Sequence, residues 1–207
     1  MPTRRKPRGA DNTFTRPPPA AVTYDLSVRD EATIRVPPGS TWTSGPHWHE
    51  SHTEFLRVLA GRARVTLSGK TFVVGPEEGV VVVPRGVVHE WRRGDGLGGS
   101  EDKGTGEDGE DGETLVVKEW TEPKDGAKEV FFRNLNGLIL DAAEGGQSGG
   151  VRLELELWNL FWRADNYPVV LGDGWVGGVA TKVVMGVAVA LGWVLGCRGV
   201  YEEYSSR

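Results

Sequence analysis

The chain has 207 residues, a formal charge of -5 and 38% aliphatic or aromatic residues, which suits one domain of ordinary size with appendages, or two small ones at most. Residues 94–114 alone carry eight acids against Lys103, a charge of -7 that leaves the remainder near +2, so the balance implies neither nucleic acid nor an acidic partner. Cys197 is the one cysteine, which excludes an intrachain disulfide framework and a thiolate zinc cluster and is compatible with a reducing compartment.

Residues 1–20 are rich in Pro and basic groups with one aromatic; so little apolar surface predicts a disordered arm. No apolar run follows Arg4-Arg5-Lys6, which argues against a secretory signal. From Val22 the pattern changes to short alternating runs between turns, at Val22–Val28 and Ala32–Val36. Glu54–Val58 reads as a strand ending at Gly61, and Ala63, Val65 and Leu67 alternate with polar residues. Ser68-Gly69-Lys70 closes a hairpin onto Thr71–Val74. Val80–Val83 reads as a strand buried on both faces, Pro84-Arg85-Gly86 turns the chain into Val87–Trp91, and Leu115–Trp120 completes the series. Such a run of short strands predicts a mainly β domain over 22–120, a sandwich or barrel. Within it, residues 94–114 read as an acidic, Gly-rich surface loop; they lack the residue order of a calcium-binding EF-hand.

All four histidines fall in two short segments, His47-Trp48-His49-Glu50-Ser51-His52-Thr53-Glu54 and Pro84-Arg85-Gly86-Val87-Val88-His89. Imidazole is the commonest neutral metal ligand and a carboxylate supplies compensating charge. On a strand His47 and His49 point the same way. Glu54, an odd number of positions beyond His49, needs a turn or bulge through Glu50–Thr53 to rejoin them. Trp91 shares a face with His89, while Trp48, between two ligands, points the other way.

These residues resemble the cupin superfamily, whose motifs His-x-His-x4-Glu-x6-Gly and Pro-x-Gly-x2-His are matched by His47, His49, Glu54, Gly61 and by Pro84, Gly86, His89. Arg85 is similar to the germin-like branch. The resemblance covers roughly residues 22–120 and implies a small jelly-roll barrel with one divalent transition metal held by His47, His49, Glu54 and His89. Three imidazoles and one carboxylate leave up to two open positions on an octahedral ion, which favours Mn, Fe or Ni over Zn. Two departures stand out. Arg93 replaces the asparagine that often closes the second motif, which points to a different pocket or rim. His52 is extra, and reads as a proton carrier, a group supporting the ligands or a plain surface-turn histidine.

After Asp125-Gly126 the period approaches four, with Phe131, Leu135, Leu138, Ile139 and Ala142 on one helical face and Gly145-Gly146 as the stop. This begins a C-terminal helical extension over 125–172, although Leu153, Leu155 and Leu157 alternate like a strand before Trp158 to Trp162 break the pattern. Residues 175–197 form an apolar helix of about 34 Å, long enough for a bilayer. Two readings stay open: a tail anchor holding the barrel on the cytosolic side, or a buried helix in a soluble cytoplasmic dimer.

The sequence thus predicts a metal-dependent protein binding a small molecule and not nucleic acid. The favoured activity is a dioxygenase- or oxidase-type oxidoreductase acting on a small oxygen-rich metabolite. A decarboxylase or isomerase would use the same ligands, and a non-catalytic, membrane-tethered binding module is the alternative from another class.

Overall fold

Alternation of apolar and polar side chains along short strands produces two antiparallel sheets that face one another. The computed structural model describes residues 5–94, 112–146, 149–172 and 174–205. The strands are β1 (Thr13–Arg16), β2 (Val22–Asp25), β3 (Glu31–Val36), β4 (His47–Trp48), β5 (Thr53–Ala60), β6 (Ala63–Leu67), β7 (Lys70–Val74), β8 (Val80–Val83), β9 (His89–Arg93) and β10 (Leu115–Glu122). Helices α1 (Ala127–Glu144) and α2 (Val151–Arg163), strand β11 (Tyr167–Pro168) and helix α3 (Gly174–Val194) follow. One sheet runs β1-β2-β3-β10-β5-β8 and the other β11-β4-β9-β6-β7. On β3, Ala32, Ile34 and Val36 point inward and are at most 1% exposed, while Glu31, Thr33 and Arg35 point outward. Gly61, the glycine of the first motif, has φ of 71° and lies so close to β10 that a Cβ would stand 3.0 Å from the Leu115 Cα. Position and conformation both demand glycine there.

Parity along β5 and β10 places the charged interior. Glu54, Leu56 and Val58 face inward from β5, and Leu115, Val117, Glu119 and Thr121 from β10. The register pairs Glu54 with Thr121 and Leu56 with Glu119, so both acids sit on one inner face at the same end of the barrel.

Several expectations change. The arm is ordered over its described part: Thr13–Arg16 pair with Val22–Asp25, and Phe14 is 2% exposed. Arg5 reaches Glu156 at 2.9 Å and Arg8 reaches Asp141 at 3.0 Å. These partners lie more than 130 residues away, so the local composition hid them. β8 is an edge strand with Val80 and Val82 at 42% and 46% exposed, not a strand buried on both faces. Of the acidic loop, residues 95–111 lie outside the described residues. The ambiguous Leu153–Trp162 stretch is helix α2, which buries Leu155, Glu156, Asn159 and Leu160 along one stripe.

α3 is long and apolar enough to cross a membrane by length and composition, with a mean hydropathy of 1.6. Its buried residues Gly177, Thr181, Met185 and Gly192 mark one face, and Gly192 abuts the Asn159 side chain of α2. About two turns into the helix Lys182 pairs with Glu50 of the β4–β5 turn at 2.7 Å. Past its end the chain turns back, burying Cys197, Tyr201 and Tyr204; Tyr204 Oη donates to Asp141 at 2.7 Å and the Tyr201 amide to Asn134 Oδ1 at 2.7 Å. Lys182 thus ties α3 to the turn of the barrel and the returning tail binds α1, while only 17% of the apolar stretch is buried inside the protein.

The returning tail makes a sharp demand on α1. A Cβ at Gly137 would stand 2.5–2.8 Å from three atoms of the Tyr204 ring, which is 0% exposed. Gly to Ala inside an ordinary helix gains about 1 kcal/mol in propensity, whereas overpacking costs about 1–3 kcal/mol. Gly137→Ala is therefore expected to lower stability in urea unfolding; a gain in stability would mean that Tyr204 does not pack there.

Candidate metal centre

The first motif is a strand, a turn and a strand. β4 ends at Trp48, residues 49–52 bend, and β5 starts at Thr53. That bend returns Glu54 to the side of His47 and His49, as the odd spacing requires. Its backbone is pinned from far along the chain by Asp165, between α2 and β11, which has φ of 54°. The Glu50 and Ser51 amides donate to the Asp165 carboxylate at 2.9 and 2.7 Å. The second motif joins through Gly86, whose amide donates to the His49 carbonyl at 2.6 Å. His89 then lies opposite His47 across the β4–β9 pair.

His47, His49, Glu54 and His89 are all buried, and one ligand atom from each lies within 4.8 Å of the others. The tautomers follow from the partners. Nδ1 of His47 meets the Gly45 carbonyl at 2.8 Å, that of His49 the Asp165 carbonyl at 2.6 Å and that of His89 the Val87 carbonyl at 3.1 Å. A carbonyl only accepts, so each Nδ1 carries the proton and each neutral ring keeps an Nε2 lone pair. Nε2 of His49 and of His89 stand 3.2 and 3.1 Å from the two Glu54 oxygens. Two facing acceptors need a cation or a further proton between them, and neighbouring ligands on an ion with bonds of about 2.1 Å are about 3 Å apart. The donor set and its spacing fit a divalent metal.

Charge around the cluster separates the groups. Burial, with His89 and His49 as neighbours, pushes His47 well below the ordinary imidazole value. Burial pulls His89 down too, but the Glu54 carboxylate outweighs it and His89 ends raised. Burial pushes Glu54 up, yet the Lys128 ammonium and His89 hold it well below the usual carboxylate range. Lys128, from the first turn of α1, binds both Glu54 and Glu119; burial lowers it, and the two acids more than restore it. Glu119 also accepts from Trp91 Nε1 at 3.2 Å.

The cluster opens onto a cavity of about 360 Å³ between the barrel and the helices, with His47, His49 and Glu54 in its lining. Phe131, Phe132, Leu135, Ile139, Leu157 and Phe161 form an apolar wall. His52 lines it as well, Nδ1 facing Asp165 at 2.8 Å and Nε2 facing Asp125 at 3.1 Å. Trp91 is core, 4.7 Å from Trp42, and is absent from the cavity lining; Trp48 stacks on Tyr167 of β11 at 5.5 Å. Arg93, expected at the rim, instead donates to the Val36 and Glu113 carbonyls at 2.7 and 3.0 Å.

Sequence reasoning missed Lys128, Glu119 and Asp165. Glu119 shares strand parity with Leu115 and Val117, and Lys128 lies four residues before Phe132 and seven before Leu135 on the apolar side of α1, so both carried a signal. Asp165 had none.

Residues 32–96 match the Cupin domain family. Oxidoreductase OpS7 of Beauveria bassiana (strain ARSEF 2860) is 26% identical over 176 residues, covering 78% of this chain and 56% of its own length. The chain thus spans about half of that curated relative. Among solved structures, KdgF from Halomonas sp. is 18% identical, with 54% of this chain and 89% of that one covered at a TM-score of 0.36. A predicted oxalate decarboxylase from Thermotoga maritima is 22% identical, with 55% and 96% covered at a TM-score of 0.36. By its motifs, its two-sheet barrel and this match, the segment 32–96 belongs to the Cupin domain family, here extended by C-terminal helices that close over the barrel.

Proposed function

We propose that the protein is a metal-dependent oxidoreductase of dioxygenase or oxidase type, in which His47, His49, Glu54 and His89 hold one divalent ion, manganese, iron or nickel before zinc. The observation that carries this reading is the convergence of three carbonyl-anchored imidazoles and one buried carboxylate beside the cavity between barrel and helices. The name of the relative Oxidoreductase OpS7 supports the reaction class. When bound, such an ion supplies Lewis-acid and redox chemistry to an oxygen-bearing ligand. The apolar wall excludes water and orients a ligand whose oxygens are concentrated at one end. Lys128 Nζ holds protons beside Glu54 and Glu119, and His52 anchors the motif turn between Asp165 and Asp125.

One observation favours a second reading. The Lys128 ammonium already neutralises Glu54, which suits a barrel that folds without metal and only binds a small molecule. Metal analysis of the purified full chain separates the two. Stoichiometric manganese or iron in the wild type, lost in His47→Ala and His89→Ala, supports the enzyme; a metal-free, folded protein unaffected by those changes supports the module. Dioxygen uptake with candidate acids, diketones and phenols then tests the reaction class, and no uptake with a fully loaded protein would reject it.

Metal affinity is expected to depend on pH in one direction. His89, raised above the ordinary 6.5, takes up a proton as pH falls, and ligation requires the neutral ring. Manganese affinity should therefore weaken as pH drops from above His89's raised pKa through 6.5, and a flat profile across that span would remove His89 from the ligand set. Asp165→Asn keeps the left-handed backbone but takes the carboxylate from the Glu50, Ser51 and His52 contacts. It should weaken manganese binding about 10-fold without unfolding the chain; unchanged affinity would show that the turn holds without it.

A further inference from the structure

The cavity contains a second cation that the metal cluster does not use. Arg16 closes β1 and lines the same cavity as His47, His49 and Glu54. Its Nε donates to the neutral Asn136 Oδ1 of α1 at 2.8 Å, and its guanidinium carbon lies 5.1 Å from the Tyr24 ring centroid. Its Nη2 is shielded from solvent and, among the described residues, has no hydrogen-bond partner. Lys128 differs, since Glu54 and Glu119 both bind it. The two cavity acids are thus committed to Lys128, while among the described residues Arg16 has only a neutral amide and an aromatic face. A guanidinium cannot shed its charge, and leaving a charged donor buried without an acceptor is unfavourable. Binding an anion relieves that cost, and guanidinium to carboxylate is among the stronger pairings available.

We propose that Arg16 recognises the carboxylate of the ligand, which makes the substrate class a small monocarboxylic acid with an aromatic or short aliphatic body. The body lies along Phe131, Phe132 and Phe161, and a second oxygen function, such as a ketone, enol or phenol, faces His47, His49 and Glu54. The cavity volume of about 360 Å³ is at the small end of ligand pockets, which span roughly 300–1,000 Å³. A polyhydroxylated molecule would leave its hydroxyls unpaired against this wall. The placement of the second oxygen function rests on the metal-site reading; the carboxylate contact does not.

The test compares 3-phenylpropanoate with its neutral isostere 3-phenylpropanamide by calorimetric titration of the full chain, both manganese-loaded and stripped with chelator. Wild type should prefer the acid by about 10-fold or more in both states. Arg16→Gln, which keeps a donor for Asn136, should bind acid and amide equally, and Arg16→Lys should retain part of the preference. Circular dichroism checks that each variant is folded, and Arg16→Lys carries the comparison if the glutamine variant is not. Equal binding of acid and amide by the wild type, no binding of either at millimolar concentration, or an undiminished preference in Arg16→Gln would overturn the proposal. A preference that disappears on stripping would place the carboxylate on the metal and overturn it too. A preference that persists in a wild type unable to take up any metal would sink the metal reading alone and leave Arg16 as the anion contact.

Discussion

A carboxylate held at 1% exposure has to be neutralised, and the arrangement around Glu54 follows from that requirement. Its oxygens are met by His49, His89 and Lys128. Two of these come from the barrel, but Lys128 comes from α1, so the helix must dock at the barrel's open end to deliver its ammonium. That docking brings Phe131 and Phe132 over the cluster and creates the apolar cavity. The same dependence reaches further along the chain: α2 leads into Asp165, which pins the turn that points Glu54 inward, and β11 adds itself beside β4. Barrel and extension therefore build one site, and the extension is more than a cover.

The buried cluster was legible because its spacing is local. His47, His49 and Glu54 lie within eight residues, and Pro84, Gly86 and His89 within six, so strand parity and one turn suffice to place them. The succession of strands was legible for the same reason, through the alternation of Ala32, Ile34 and Val36 or of Ala63 and Val65. What escaped depends on contacts between distant positions. β1 forms because Phe14 finds the core and Arg8 finds Asp141, neither of which a composition window can register. Asp165 acts through its carbonyl and its carboxylate across more than 110 residues, and no periodicity encodes that. Arg93 looked like a change at the pocket and proved to be a tie between strand ends.

α3 meets the rest of the chain along one narrow face. Its composition fits lipid, yet its small residues Gly177 and Gly192 let other segments approach closely, Gly177 against Gly172 and Gly192 against Asn159 of α2. The tail beyond it then locks onto α2 and α1 through Tyr201 and Tyr204, whose hydroxyls sit against Glu156 and Asp141 respectively. Burial with the Glu156 contact pushes the Tyr201 phenol up to about 12, so it stays neutral and donates at every physiological pH. The outward side of the helix remains apolar, with Val183, Val187 and Leu191 each more than half exposed.

The central claim is that three Nε2 lone pairs and the Glu54 carboxylate share one cation. Anomalous diffraction from crystals of the full chain grown with manganese addresses it directly. The account predicts a single strong peak about 2.0–2.3 Å from Nε2 of His47, His49 and His89 and from a Glu54 oxygen. No peak between those four side chains, with Lys128 alone still bound to Glu54, would contradict it.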